Sequence, residues 1–350
     1  MQNTLSKELN MPAQYATMVA EQQEQYVDRV DQAVDEFNLQ LNYIDKRSVD
    51  LTASPDELLL VTTKAIMKMA DACEEFERNC LFDRNVIKQA QRSFRERTEA
   101  LFSKSYFMNR ARTWPQGYAG DFQTLEGIYR NIPLSNGVGL YLDRYFLATT
   151  LPSAVRDRKD FLRDLLRREL NQRREPKILD IACGSCRELV ELAPAIRSAK
   201  AKVTCVDFDP DALGFAADRM AFAGLPQEHA TFRKYNALKM TNHERNLREF
   251  GPQDVIYSVG FFDYLQDVSL VPLLSSLYAL LNPGGTLIMS FKDCRRYRAQ
   301  EYSWFVDWDG FLQRTEEDSR EVLVQAGIPL ESVTSARDSS GVIIFFNAAR

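Results

Sequence analysis

The sequence predicts an α/β protein: an all-helical N-terminal domain followed by a seven-stranded mixed sheet, mostly parallel, with helices between the strands. Three observations carry this. Apolar residues up to about position 102 recur at helical spacing. From Lys177 onward short apolar runs alternate with helical patterns. The last two runs flank Asp338-Ser339-Ser340-Gly341, a turn suited to a hairpin.

Over 26–44, Val27, Val30, Val34, Phe37, Leu41 and Ile44 form one face of a first helix. Ser54-Pro55-Asp56-Glu57 then supplies an N-cap, a first-turn proline and acids for the helix dipole, and Leu58, Val61, Ala65, Met69, Ala72 and Phe76 continue a second. Asp83 caps a third, charged helix that runs through Phe94 to about Phe102. These stripes read as core, or as the contacts of a possible homodimer. Residues 1–110 form the helical domain, 111–175 a connecting and substrate-covering segment, and 176–350 the sheet domain. In the connecting segment Gly117, Gly120, Gly127, Gly137 and Gly139 lie among tyrosine and tryptophan rings, with little periodicity until helical character returns at about 155–171.

The seven strands are read in KILDIAC, KVTCVDFD, ATFRKYN, DVIYSVG, TLIMSF, VTSAR and VIIFFN. A sheet of this size fits a chain of 350 residues with 45% hydrophobic and 27% charged residues. No stretch approaches the roughly 18 apolar residues of a membrane span. The 44 basic and 49 acidic residues leave a net charge of −5, which recruits no polyanion and argues against nucleic-acid binding. Six cysteines and an N-terminus without an apolar signal core predict free thiols and a cytoplasmic protein. Only two histidines are present, His229 and His243, so histidine triads and multi-histidine metal sites are hard to build.

The chemistry is expected where the first strand ends. Ile178-Leu179-Asp180-Ile181-Ala182-Cys183-Gly184-Ser185-Cys186 runs straight into helix-like residues, a small-residue turn that lets a ligand approach the backbone. The second strand ends at Asp207, the position from which an acid binds both hydroxyls of a ribose. Together they predict a nucleoside site. Gly184 alone does not meet the G-x-G-x-x-G pattern of dinucleotide oxidoreductases. Cys183-x-x-Cys186 has the spacing of redox and zinc motifs, and Cys205 lies on the adjacent strand. With no second C-x-x-C and no histidine partner, no metal is expected. Asp209 and Asp211 read as helix-capping residues, and Arg187 as a local ion-pair partner.

Residues 177–350 resemble the class I S-adenosylmethionine-dependent methyltransferases, whose fold is Rossmann-like. The likeness lies in the turn, in Asp207-Phe208-Asp209-Pro210-Asp211, Tyr235-Asn236-Ala237-Leu238 and Asp254-Val255-Ile256-Tyr257-Ser258, and in Leu281-Asn282-Pro283-Gly284-Gly285-Thr286-Leu287. Ala182 and Cys186 stand where the family usually has glycine. The resemblance implies S-adenosyl-L-methionine as cofactor and S-adenosyl-L-homocysteine as product. It places Ala182, Cys183 and Gly184 at the methionine part, Asp207 at the ribose, Asn236 and Ala237 at the adenine, and Ser258 and Gly260 beside the reactive methyl, with Asp180 and Phe208 also among the cofactor-binding residues.

From about residue 105 the chain also resembles bacterial 3-hydroxypalmitic acid methyl ester biosynthesis proteins, which are carboxyl methyltransferases. This rests on Gly117-Tyr118-Ala119-Gly120-Asp121-Phe122, on 256–265, on 308–315 and on Asp338-Ser339-Ser340-Gly341-Val342. The acceptor implied is a carboxylate of a small molecule, fatty acid or peptide-like metabolite. A carboxylate is already ionised at neutral pH and needs no dedicated base, which suits a histidine-poor chain. Tyr118, Asp121 and Tyr264 are the candidate catalytic residues. Tyr118, Arg144, Asp263, Tyr264, Trp304 and Arg314 are the candidate acceptor-binding residues, with the aromatic segment 293–311 as a cover. Two other readings stand beside this one: an O- or N-methyltransferase acting on a non-acid metabolite, and a catalytically inactive cofactor-binding scaffold.

Overall fold

A computed structural model describes residues 13–48, 54–79, 84–308 and 310–350. The chain divides into two compact units. One comprises the described residues up to Arg112 together with Pro133–Tyr145 and Gln300–Asp307. The other comprises Thr113–Ile132, Phe146–Ala299 and Trp308–Arg350.

The first unit is helical. Its long helices are Ala13–Arg47, Pro55–Asn79 and Arg84–Phe102. The predicted stripe of the first helix is buried at Val30, Val34, Phe37, Leu41 and Ile44, whereas Val27 is exposed. In the second helix Leu58, Ala65, Met69 and Phe76 are buried, and Val61 faces outward. The expected cap, Asp83, lies outside the described residues. Trp304 sits at the centre of this unit, edge-on to Phe76 at 5.5 Å and to Phe94 at 5.7 Å, and its indole donates to Glu77 at 2.7 Å. Truncation of such a ring leaves a cavity and removes one of the donors to Glu77, which also accepts from Gln91 and Gln300. Trp304→Ala is expected to cost about 3–5 kcal/mol, read as a lowered denaturation midpoint by circular dichroism.

The second unit holds a seven-stranded sheet: β1 Lys177–Ile181, β2 Lys202–Asp207, β3 Ala230–Lys234, β4 Gln253–Ser258, β5 Leu281–Lys292, β6 Val333–Arg337 and β7 Ile343–Ala349. All seven strands were expected. The order is β3-β2-β1-β4-β5-β7-β6. β1 to β5 are parallel, and β7 enters antiparallel between β5 and β6. The antiparallel strand therefore lies inside the sheet rather than at its edge. The order reverses at β1, so the carboxyl ends of β1, β2 and β4 open onto one crevice, the place where open α/β sheets bind ligands.

The aromatic, glycine-rich stretch is more regular than its sequence implies. It contains the helices Phe122–Arg130 and Val138–Ala148. Asp121 starts the first of these: it is fully buried, and its carboxylate accepts from the backbone N–H of Gln123 at 2.9 Å and Thr124 at 3.1 Å and from the Thr124 hydroxyl at 2.9 Å. Asp121, expected among the catalytic residues, is thus the N-cap of this helix. Asp121→Ala is expected to cost about 0.5–2 kcal/mol, seen as a lower melting temperature with the cofactor affinity of the folded protein retained.

Candidate active site

The turn after β1 is held open by two neighbours. The Cys183 N–H donates to the Val206 carbonyl at 3.1 Å, and the Gly184 N–H donates to Asp207 Oδ2 at 2.9 Å. The other oxygen of Asp207 accepts from the Asp209 N–H at 3.0 Å. Asp207 therefore faces the turn, as expected for an acid at this strand end. Burial raises its pKa, opposed by these backbone hydrogen bonds. Ala182 and Cys186 have φ of 55° and 50°, in the left-handed region, and they occupy the two positions where the methyltransferase pattern has glycine. At Gly184 a Cβ would meet nothing within 4 Å, so the space beside the turn is open.

That space is a cavity of about 480 Å³, counting the part open to solvent. Asp180, Cys183, Glu188, Tyr257 and Arg158 line it. Asp180 and Glu188 are buried, and burial raises the pKa of both. The Tyr257 hydroxyl donates to Glu188 at 3.0 Å. Arg158 comes from the helix Thr150–Gln172 that precedes β1. Its side chain is buried, and its Nε has no hydrogen-bond partner. The guanidinium lies against Gly260, where a Cβ would fall 2.7 Å from Nη1 and 2.9 Å from Nη2. Two buried acids and an under-partnered buried cation make a cradle for a zwitterion.

Gly260 has φ of 91°, which only glycine adopts readily. Gly260→Ala therefore meets both backbone strain and a collision with Arg158. It is expected to destabilise the protein by on the order of 1–3 kcal/mol, measured by urea denaturation.

Residues 179–287 match a family model described as a methyltransferase domain. The chain carries a methyltransferase domain. No curated protein sequence matches the chain. Among solved structures, a possible exported protein from Bordetella parapertussis is similar over 66% of this chain and 79% of that one, with 21% identity and a TM-score of 0.54. This likeness concerns the fold. Magnesium protoporphyrin IX methyltransferase from Synechocystis PCC 6803, crystallised with S-adenosylhomocysteine, aligns over 57% of this chain and 85% of its own, at 16% identity and a TM-score of 0.43. The N-methyltransferase NodS from Bradyrhizobium japonicum WM9 aligns over 55% and 96%, at 18% identity and a TM-score of 0.39.

S-adenosyl-L-methionine is the cofactor of the methyltransferase domain, and the residues present fit it. The open space at Gly184, the carboxylate of Asp207 at the end of β2 and the zwitterion cradle lie around one crevice. Of the two residues expected at the adenine, Asn236 is exposed and caps the short helix Ala237–Thr241 through its side chain, which accepts from the Leu238 N–H at 3.0 Å, while Ala237 is buried. Phe208 is half exposed and edge-on to Tyr118 at 5.0 Å. The Ser258 hydroxyl is committed to the Ile181 carbonyl at 2.8 Å, where it ties β4 to the end of β1.

The acceptor-side expectations divide. Tyr118 donates its hydroxyl to Asp209 at 2.7 Å, and burial with that carboxylate pushes its pKa well up, so it is no ready base. Tyr264 accepts from the Trp308 indole at 2.7 Å, and burial pushes it up to about 12. Asp263 is buried and accepts from the backbone N–H of Lys292 at 3.0 Å and from its Nζ at 2.6 Å. Arg314 is buried and binds the Phe262 and Leu265 carbonyls and Asp267, so it fastens the segment 262–267 and does not present itself to a ligand. Trp304 is packed in the core of the helical unit, and Arg144 also lies in that unit. Asp209 does cap the helix Pro210–Phe222, as expected. Arg187 pairs with Glu126 at 3.0 Å and Glu191 at 3.3 Å.

Around Tyr264 the side chains pack closely. Gly120 lies so close to Trp308 that a Cβ would come within 2.7 Å of its ring, Phe311 stands edge-on to Tyr264 at 6.2 Å, and Lys292 Nζ sits 4.7 Å from the Phe311 ring. Burial lowers the Lys292 pKa, offset in part by Asp263. Sequence reasoning missed Arg158, Glu188 and Lys292. An arginine within a charged helix and a lysine at a strand end carry no local signal of function.

Proposed function

We propose that the protein transfers the methyl group of S-adenosyl-L-methionine to a carboxylate of a small molecule, fatty acid or peptide-like metabolite, forming a methyl ester and S-adenosyl-L-homocysteine. The observation that carries this reading is the state of the side chains suited to act as a base. The Tyr118 hydroxyl donates to an acid, Tyr264 accepts from Trp308 with its proton tightly held, Asp121 is a helix cap, and Asp263 is bound by Lys292. A phenol, alcohol or ammonium acceptor must lose a proton to expose a lone pair, whereas a carboxylate arrives with one. The rings of Tyr264, Trp308 and Phe311 favour an acceptor with an apolar body attached to its carboxylate.

When bound, the cofactor supplies an electrophilic methyl on its sulfonium. The protein's own share is alignment and the exclusion of water. In this reading Arg158 holds the carboxylate of the cofactor's amino-acid end, Asp180 and Glu188 hold its ammonium, and Asp207 holds the ribose. Five free cysteines among the described residues fit a reducing compartment, and the cytoplasm is the one we propose. No helix among the described residues is long and apolar enough to cross a membrane.

The test is incubation with methyl-labelled cofactor and a panel of carboxylic acids of varied chain length, with mass identification of the product. A product hydrolysed by mild alkali is expected. With a carboxylate acceptor of pKa about 4, turnover should stay level from about pH 6 to 9. A base-stable product, or a rate that climbs with pH through that range, indicates a phenol, alcohol or amine acceptor instead. Cofactor binding without turnover on any acceptor indicates a scaffold.

A further inference from the structure

The cavity beside the turn after β1 holds more acid than cation. Asp180, on β1, and Glu188, in the helix Arg187–Glu191 that follows the turn, both line it and are 2% and 8% exposed. Among the described residues, neither acid lies within 4.0 Å of a lysine, arginine or histidine nitrogen. Glu188 accepts from the Tyr257 hydroxyl at 3.0 Å and Asp180 from the Cys186 thiol at 3.8 Å, and both donors are uncharged. Three cations line the same cavity, and two are engaged by other acids: Lys159 by Asp160 and Glu191, and Arg187 by Glu126 and Glu191. The third, Arg158, is 6% exposed, makes no ion pair among the described residues and has an unpartnered Nε. Two buried acids therefore share one uncommitted cation, and a second ionised carboxylate would stand uncompensated where burial penalises charge.

We propose that Asp180 and Glu188 share a proton in the free protein, release it to solvent when S-adenosyl-L-methionine binds and keep it when S-adenosyl-L-homocysteine binds, so that the pair tells the charged cofactor from its neutral product.

This rests on the reading that the two acids face the cofactor's ammonium. S-adenosyl-L-methionine carries an ammonium, a sulfonium and a carboxylate, so its net charge is positive; S-adenosyl-L-homocysteine lacks the sulfonium and is neutral overall. With Arg158 counted, the fully ionised pair leaves the cavity with one negative charge in excess, which either a proton or the charged cofactor cancels. On methyl transfer the carbon–sulfur bond breaks, the sulfur keeps the electron pair, the carbon bonds to the acceptor oxygen, and the pair regains a proton from solvent. Burial pushes both acids above their ordinary values. The other titratable groups around them stay protonated or are held by donors. Burial pushes up the hydroxyls of Tyr257 and Tyr129, the latter to about 12, and the Cys186 thiol. The Cys183 thiol is lowered by Cys186 and raised more strongly by Cys205 and burial. Asp207 keeps the N–H donors of Gly184 and Asp209. Cys205, the register partner of Asp180 on β2, differs, since Cys183 draws its thiol down to about 7; it is the group that a control must remove.

The experiment is titration calorimetry on the full-length, reduced protein at about pH 7 in phosphate and in Tris, two buffers whose ionisation enthalpies differ, so that the difference in observed enthalpy counts the protons exchanged. Release of about one proton is expected with S-adenosyl-L-methionine and of about none with S-adenosyl-L-homocysteine. Affinity for the first should rise by up to about tenfold per pH unit until the free pair is ionised, while affinity for the second stays level. Turnover at saturating cofactor is unaffected, because the linkage acts on binding. Glu188→Gln keeps an oxygen for the Tyr257 hydroxyl and should abolish the release and lower the preference for the charged cofactor at least about tenfold. Cys205→Ser should leave the release unchanged. Cofactor binding without proton exchange, equal release with both ligands, release that survives Glu188→Gln, or release lost in Cys205→Ser overturns the proposal. The first two outcomes are read on the unaltered protein and decide the matter even where a variant fails to fold. Binding without proton exchange leaves the cofactor and the carboxylate acceptor standing, and failure to find an ester product leaves the proton count standing.

Discussion

Arg158→Ala is expected to raise the dissociation constant for S-adenosyl-L-methionine by on the order of 10- to 100-fold, since a charge-assisted hydrogen-bonding partner contributes about 1.5–3 kcal/mol and each 1.4 kcal/mol is a factor of ten. The substitution also leaves Asp180 and Glu188 buried without the nearby cation that Glu188 faces. Burial already raises the pKa of both acids, so removal of the guanidinium should raise Glu188 further and leave the cradle less able to hold an ammonium. The control is 5′-methylthioadenosine, which shares the nucleoside but lacks the amino-acid end. Titration calorimetry should show its affinity unchanged in the variant. If both ligands weaken equally, the damage is general and Arg158 does not read the cofactor's carboxylate. Arg158→Lys keeps the charge but not the fork of donors, and should fall between wild type and alanine.

Asp207→Ala should weaken cofactor binding by about 1–3 kcal/mol, and here methylthioadenosine should weaken in parallel, because the ribose is common to both ligands. The acid does two jobs. It presents a carboxylate at the end of β2, and through the Gly184 and Asp209 N–H groups it fixes the turn and the start of the next helix. Asp207→Asn separates them: its one amide oxygen can still accept from one of these N–H groups, but the negative charge is gone. Unchanged affinity in both variants would remove Asp207 from the ribose. Affinity lost in alanine and kept in asparagine would make it a turn anchor only.

The two variants thus dissect one crevice by ligand end. Loss confined to the amino-acid end locates Arg158, and loss shared by both ligands locates Asp207. Neither experiment depends on the identity of the methyl acceptor. They test the cofactor half of the site even before the acceptor is found.

Much of this protein could be read along the chain. Strand periodicity, the Asp338-Ser339-Ser340-Gly341 hairpin, the small-residue turn at Gly184 and the acid at Asp207 are local features, in which each residue's environment is set by neighbours within a few positions. The helical faces of the first hundred residues were legible for the same reason, as the burial of Phe37, Leu41 and Phe76 shows. Tertiary structure alone decided which polar side chains meet. Arg158 reaches Gly260 from about a hundred residues away, and Lys292 meets Asp263 across 29 positions. It also set the partners of residues that looked functional. Tyr118, Asp121 and Arg314 are occupied by Asp209, a helix start and two carbonyls, and Trp304 is packed between Phe76 and Phe94. Amino-acid spacing encodes the period of a strand or helix, but the partner of a buried charge is set by which strands and helices lie side by side.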